Sequence, residues 1–547
     1  MRLALAGCRP ALTKHADLSN PEHATLKLHV KVVGRLDYAK VRGILLPHLA
    51  AAYEDAWQRL LSVPWLQQAI DSPEVRTASE SPAWQRDADL LPEDVALLEH
   101  RAHIVKIDAR DVRGRVRVFT TIEAEKQRRR MIAEPIINNY FTDGGEIKLA
   151  TLSDILAPLN QHANAMALDF PWFYGQMSVP AEAQPYYCFM FREQWYALTT
   201  VPTGARHVPA IAEAITKSLS QRAVQRTCRT MAVPESAISD TTYIDNTRFT
   251  ANDTALIRAT HSHWKELCTK LAITLDDEGT AGDIVTTYDF LGIHCVHQPP
   301  NSYVQLTTKT SKKLERWIAE LDSGQPTLRT ILRGVGVGVW ASRVLALPLA
   351  LVYYVFKFVR RRVAAGWQLD TAADMWANTK PLLAAWFVEL GKNKPRSLRP
   401  DCDEPWMLIT DASMSGYGII TIPPPSLSLP CRVIAGTWAE TEYIHILEAR
   451  AALAGVMSLP RQGALVGLNI VVDNTSLIGA GRKTHSRSFV LNSLVYRIHE
   501  IMDAKSYVIA RWEYITSAEN PADYPSRLFE ETKTQSRQRE YASDYEE

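Results

Sequence analysis

The sequence predicts a multidomain α+β chain that closes in a smaller α/β domain. Three observations predict it. Its 547 residues are too many for one hydrophobic core. Apolar residues make up 46% of the chain and charged residues 22%, the balance of packed domains and not of a disordered chain. The apolar pattern also changes along the chain. Residues 165–300 hold short strand-like runs around one amphipathic helix, residues 305–395 read as helical, and from 406 strands and helices alternate.

Residues 1–110 mix helical patterning with polar stretches and carry no motif. Residues 111–140 alternate like strands and then turn basic at Lys126, Arg128, Arg129 and Arg130. The amphipathic helix places Val208, Ile211, Ile215 and Leu219 on one face. The strongly apolar stretch 334–356 is read as a buried helix pair and not a membrane span. Arg343 and Pro348 interrupt it, which leaves less than the ~20 residues a span requires. Residues 396–404 read as a linker and 529–547 as a polar, disordered tail.

Between them, residues 405–528 read as a domain. One strand ends at Asp411, and others cover 419–422, 432–438, 465–472 and 507–514. Helices cover 440–459, with Ile444, Leu447, Ala451 and Ala454 inward, and 489–502.

Net charge is +1, which neither supports nor excludes a nucleic-acid partner. The seven cysteines form no CxxC pair, which argues against a zinc site and fits a reducing compartment. Leu5-Ala6-Gly7-Cys8 mimics a lipoprotein cleavage box. The apolar segment before it is too short for a signal peptide, so the chain is expected not to be secreted.

The most informative residues are four acids: Asp411, Glu448, Asp473 and Asp523. Asp411 and Asp473 each close an apolar strand, and strand ends of an α/β sheet gather at one edge. Glu448 lies on the crossing helix and Asp523 follows Asn520-Pro521-Ala522. Four carboxylates so gathered repel one another without bound cations, and they form the hard-oxygen cage that paired Mg²⁺ ions need. Singly, each has an ordinary use: a helix cap for Asp411 or Asp523, a solvated position for Glu448, a turn for Asp473.

With Thr410-Asp411-Ala412-Ser413, Gly416-Tyr417-Gly418, Glu448-Ala449, Asp473-Asn474 and the closing Asn520-Pro521-Ala522-Asp523…Ser526-Arg527, residues 405–528 resemble the ribonuclease H domain of retroelement polyproteins. That resemblance implies a five-stranded mixed sheet and the four acids as metal ligands. The histidine that many ribonucleases H carry shortly before the last acid has no counterpart between Arg511 and Asp523.

The upstream region resembles a reverse transcriptase. Asp169-Phe170-Pro171-Trp172-Phe173-Tyr174-Gly175-Gln176 is similar to that family's first catalytic motif, which makes Asp169 a metal ligand, Tyr174 the steric gate under the sugar, and Gln176 part of the nucleotide site. Pro202 and Gly204 fall in a counterpart of the LPxG motif beside the template–nucleotide pair. Tyr243-Ile244-Asp245-Asn246 resembles the YxDD hairpin, with Asp245 as the second metal ligand and Asn246 replacing the second carboxylate. Lys126, Arg128 and Arg130 resemble the finger residues that grip a triphosphate. Phe290, Leu291 and Gly292 fall in a primer-grip-like hairpin. The lysine proposed in that family to protonate pyrophosphate has no clear match, Lys270 being early.

The resemblance implies a right-hand polymerase: fingers and a palm with a ferredoxin-like sheet over 111–300, a helical thumb and connection over 301–395, then the nuclease. It also implies two Mg²⁺ per site, with Mn²⁺ as the alternative ion. The implied partners are an RNA template, a DNA primer, the RNA–DNA hybrid, deoxynucleoside triphosphates and other element-encoded proteins, with no membrane partner. The chain would work in the nucleus or cytoplasm. The YIDN variant and the closing motif are similar to the tyrosine-recombinase (DIRS-like) group, including VIPER-type elements of trypanosomatids, with gypsy-like elements second. A decayed or domesticated element protein, with only the nuclease active or with no catalysis, is the rival.

Overall fold

The computed structural model describes residues 15–123, 126–145, 147–275, 283–322, 324, 326–398 and 404–528. The expected tail at 529–547, the Leu5–Cys8 stretch and most of the expected linker lie outside them. The chain divides into two units, one running essentially to Phe290 and the other from Pro300 onward.

In the first unit, residues 15–110 do not stand apart. Leu49, Tyr53, Leu60 and Leu66 share one core with Val118, Met166, Ile215 and Phe249. Helix α1 (Pro47–Leu61) lies in this stretch. Strands β1 (Val116–Glu123) and β2 (Arg128–Pro135) pair antiparallel. Strand β3 (Asn164–Asp169) ends at the first expected acid. Helix α2 (Val208–Met231) buries Val208, Ile211, Ile215 and Leu219, the face its period sets, and stops where Ala232 turns left-handed at φ +53°. Strands β4 (Ile238–Tyr243) and β5 (Asn246–Ala251) form a hairpin with only Ile244 and Asp245 between them. The palm-like sheet therefore has three strands in the order β3-β5-β4, extended by an isolated bridge between Ala165 and Val285. Helix α3 (Thr254–Lys270) packs on α2.

After a strand at Tyr303–Leu306, the second unit continues with four α-helices: α4 (Thr308–Asp322), α5 (Leu328–Val344), α6 (Tyr353–Ala364) and α7 (Thr379–Gly391). The apolar stretch 334–356 is split between α5 and α6, and no helix among the described residues is long and apolar enough to cross a membrane. Then follow β6 (Trp406–Ala412), β7 (Gly416–Ile422), β8 (Arg432–Thr437), α8 (Ile444–Ser458), β9 (Val466–Val472), α9 (Thr475–Lys483), α10 (Phe489–Ala504), β10 (Tyr507–Tyr514) and α11 (Asp523–Arg527).

The sheet order is β8-β7-β6-β9-β10, antiparallel on the β8 side of β6 and parallel on the β10 side. Because β6 and β9 run parallel, both end at the same edge. Helix α8 buries Leu447 and Ala451 as expected, but Ile444 is 44% exposed. The buried side is wider than the expected stripe and includes Glu448, Ala449, Ala452 and Gly455. A methyl group on Gly455 would meet Leu408 of β6 at 2.7 Å, so the close fit of α8 on β6 depends on that glycine.

Candidate metal centres

The carboxylates of Asp411, Glu448 and Asp473 each offer an oxygen within 4.8 Å of the others. Asp411 lies near the end of β6 and Asp473 just after β9, at their shared edge, while α8 brings Glu448 over them. Hydroxyls and an amide aim the aspartates. The Ser526 hydroxyl donates to Asp411 Oδ2 at 2.6 Å and Asn520 Nδ2 donates to Asp411 Oδ1 at 3.2 Å. The Ser517 hydroxyl donates to Asp473 Oδ2 at 2.6 Å.

Glu448 is different. Its Oε1 accepts from the Ala412 amide at 3.3 Å, and its buried Oε2 has no hydrogen-bond partner. Burial and the charges of Asp473 and Asp411 push its pKa up to about 9. Burial, and less strongly the neighbouring aspartates, also raises that of Asp411. A buried, unsatisfied carboxylate oxygen beside two more carboxylates is costly. Its natural complement is a divalent cation, and the donor set is all hard oxygen, as Mg²⁺ or Mn²⁺ prefers.

Asp523 lies close enough to raise the Asp411 pKa but is outside the tight group. It opens α11, and the Arg527 guanidinium holds its Oδ1 at 3.0 Å.

In the first unit, Asp169 stands directly opposite Asn246 across the β3–β5 pairing, one residue from Asp245. Burial raises the Asp245 pKa and the Arg130 charge opposes that rise. Tyr174 is half-buried, its phenol pKa raised by burial and by Asp245. Asp169, Asp245, Arg130 and Tyr174 thus form one neighbourhood. Asn246 Nδ2 donates to Asp245 Oδ1 at 3.1 Å. Tyr243 pairs with Asn246 across the hairpin.

Other expected site residues have different surroundings. Gln176 is fully buried. Its amide donates to the carbonyls of Pro171 and Thr274 and accepts from the Thr274 amide, so it braces a loop and has no group left for a nucleotide. Arg128 is half-buried between Glu123 and His29. Arg130 is the more open arginine, and Lys126 is exposed. Gly204, two residues after buried Pro202, donates to the Ala133 carbonyl at 2.8 Å. A Cβ there would meet that same oxygen at 2.8 Å, so the glycine serves close approach to β2. Phe290 is buried and lies 5.0 Å from the Arg248 guanidinium. Leu291 and Gly292, at φ +52° and +83°, form the two-residue turn between strands Thr287–Phe290 and Ile293–Val296.

Sequence reasoning missed Glu213. This buried residue of α2 accepts from the Ile244 amide and from the Thr242 hydroxyl. It therefore holds the turn carrying Asp245, where β-branched Ile244 sits at φ +61°, a strained position. A charged residue between Ala212 and Ala214 on the apolar face was the only signal.

No family model and no curated protein matches this chain. Among solved structures, the foamy viral protease-reverse transcriptase in complex with dsDNA is similar at a TM-score of 0.44 and 13% identity, covering 88% of this chain and 98% of that one. The same viral protein in complex with RNA/DNA hybrid is similar at 0.43 and 11%, covering 89% and 64%. These likenesses carry no functional weight at such scores; the side chains must.

Proposed function

We propose that this chain is a retroelement reverse transcriptase with ribonuclease H, of the DIRS-like kind its motifs resemble. The observation that carries the reading is the Asp411–Glu448–Asp473 group with its unsatisfied Glu448 oxygen. The Asp169–Asp245 neighbourhood supports a second, separate site.

In the nuclease, Asp411, Glu448, Asp473 and Asp523 would hold divalent ions against the RNA strand of a hybrid. Such ions, when bound, supply Lewis acidity and lower the pKa of an attacking water. The chain's own part is positional. Ser526, Asn520 and Ser517 fix the carboxylate orientations, and burial keeps the cage stiff. In the polymerase, Asp169 and Asp245 would bind the metals, Arg130 would receive a triphosphate charge, and Tyr174 would limit space under the sugar. The Glu213 carboxylate keeps Asp245 in place.

One observation favours a second reading, in which only the nuclease is active. The Asn246 amide occupies an oxygen of Asp245 that a metal would need. Primer extension on poly(rA) with oligo(dT), Mg²⁺ or Mn²⁺ and the full chain separates the two. Extension by the unmodified protein rules out the nuclease-only reading. No extension, restored by Asn246→Asp, would establish it.

A further inference from the structure

Tyr174 lies on a one-turn helix, Phe173–Gln176, too short to hold itself. The last carbonyls of any helix lack a partner within it. Here the Tyr174 carbonyl is met locally, by the Met177 amide at 3.2 Å. The next two are met from far away in sequence. Arg35 Nη1 donates to the Gly175 carbonyl at 2.6 Å, and the Leu36 amide donates to the Gln176 carbonyl at 2.8 Å. The Tyr38 hydroxyl donates to the Ser178 carbonyl at 2.9 Å. The second arm of the Arg35 fork, Nη2, donates to the Ala102 carbonyl at 2.7 Å and so anchors the helix to another part of the core.

These contacts act on a strained turn. Trp172, just before the helix, is left-handed at φ +49°, which a bulky residue keeps only where its surroundings fix it. Its ring lies 5.2 Å from His29 and 5.7 Å from His103. A Cβ on Gly175 would run into that ring, so the indole covers the helix backbone. Gln176 ties the helix to Thr274, and the Gly34 amide donates to the Thr274 hydroxyl at 2.6 Å. A segment serving the core alone needs only apolar contact, such as the buried Leu36 side chain makes. The Arg35 fork and the Leu36 amide do more, because they fix where the backbone carrying Tyr174 stands.

We propose that Arg35, together with the Leu36 amide, is a positioning residue for sugar selection: it sets the distance of Tyr174 from the sugar, and with it the preference for deoxynucleoside over ribonucleoside triphosphates. This rests on the polymerase reading above, with Tyr174 as its gate. A gate that excludes a 2′-hydroxyl by lack of space fails when its backbone shifts by a fraction of an ångström. The stretch upstream of the motifs thereby has a task at the nucleotide site.

The test uses the full chain, a poly(rA)–oligo(dT) primer–template and Mg²⁺, with dTTP and UTP as separate substrates. If only Asn246→Asp extends, the variants are made in it. The quantity read is the ratio of the two kcat/KM values, because a variant that merely unfolds lowers both alike. Arg35→Met should lower the preference for dTTP at least about tenfold, with hybrid cleavage kept. Arg35→Lys keeps a donor for the Gly175 carbonyl and should recover part of that loss. If Arg35→Met does not fold, the lysine variant must itself lower the ratio. Leu60→Ala, which opens a cavity in the same core, should leave the ratio as it is. An unchanged ratio in the Arg35 variants, or an equal fall in Leu60→Ala, overturns the proposal. Tyr174→Val is measured beside them. A collapsed ratio there, with none in the Arg35 variants, defeats the positioning role alone. An unchanged ratio in Tyr174→Val defeats the gate reading and the proposal with it. So does absence of extension in both the unmodified chain and Asn246→Asp.

Discussion

Glu448 shares its small volume with two aspartates and keeps one buried oxygen without a hydrogen bond. A residue there for stability alone would be a poor choice. Glu448→Gln should therefore raise the melting temperature in EDTA at neutral pH, because the folded site must hold this carboxyl protonated, its pKa pushed up to about 9, where the unfolded chain ionises it, and glutamine escapes that cost. It should also lower hybrid hydrolysis at least about 100-fold, through loss of a ligand. Melting curves and a cleavage assay on the same preparation check both. At this scale the sequence was readable where an acid lies at or beside a strand end, as Asp169, Asp411 and Asp473 do. It was not readable where chemistry depends on what a side chain touches. Gln176 was expected at a nucleotide site yet spends its amide on Pro171 and Thr274. Glu213 has no motif yet braces the Asp245 turn.

Two contacts between elements decide whether the acids meet. Glu213 of α2 holds the β4–β5 turn. Glu213→Ala leaves the Ile244 amide and the Thr242 hydroxyl without their acceptor. Each orphaned donor costs about 1–3 kcal/mol. Urea unfolding should show the loss, and primer extension should fall more steeply than hybrid cleavage, which uses the other unit. Gly418 of β7 lies under α11, and a Cβ there would meet the Ala522 carbonyl at 2.2 Å. Gly418→Ala should displace α11 and with it Asp523, and a drop in hydrolysis with extension kept would show it. Strand β10 covers Tyr507–Tyr514, as expected. Helix α9 escaped notice because nine residues give a weak period, although Asn474 caps it by accepting from the Leu477 amide at 3.0 Å. The inward face of α8 was drawn too narrow, because a helix of small apolar residues has little contrast between its faces.

The two units part at the Leu291–Gly292 turn, with Leu291–His294 grouped with the second unit and Cys295–Pro299 with the first. That residues 15–110 share the first unit's core was hidden, since packing partners so far apart in sequence leave no local periodic sign. Both units bury neutral histidines. Burial takes His261 and His297 of the first unit and His499 of the second down to about 4 from an ordinary 6.5. The unfolded chain binds these protons first. Their contribution is therefore intact above about pH 6.5 and is lost as pH falls toward 4. Denaturant midpoints should fall over that window, and His499→Gln should flatten the part belonging to the second unit.

On the proposed function, two metal-binding acid sites, one in each unit, work independently on one nucleic-acid track. The most direct measurement assays primer extension and hybrid cleavage side by side for Asp245→Asn and Asp473→Asn. Extension alone should be lost in the first variant and cleavage alone in the second. Loss of both activities in either variant, or survival of cleavage in Asp473→Asn, would contradict it.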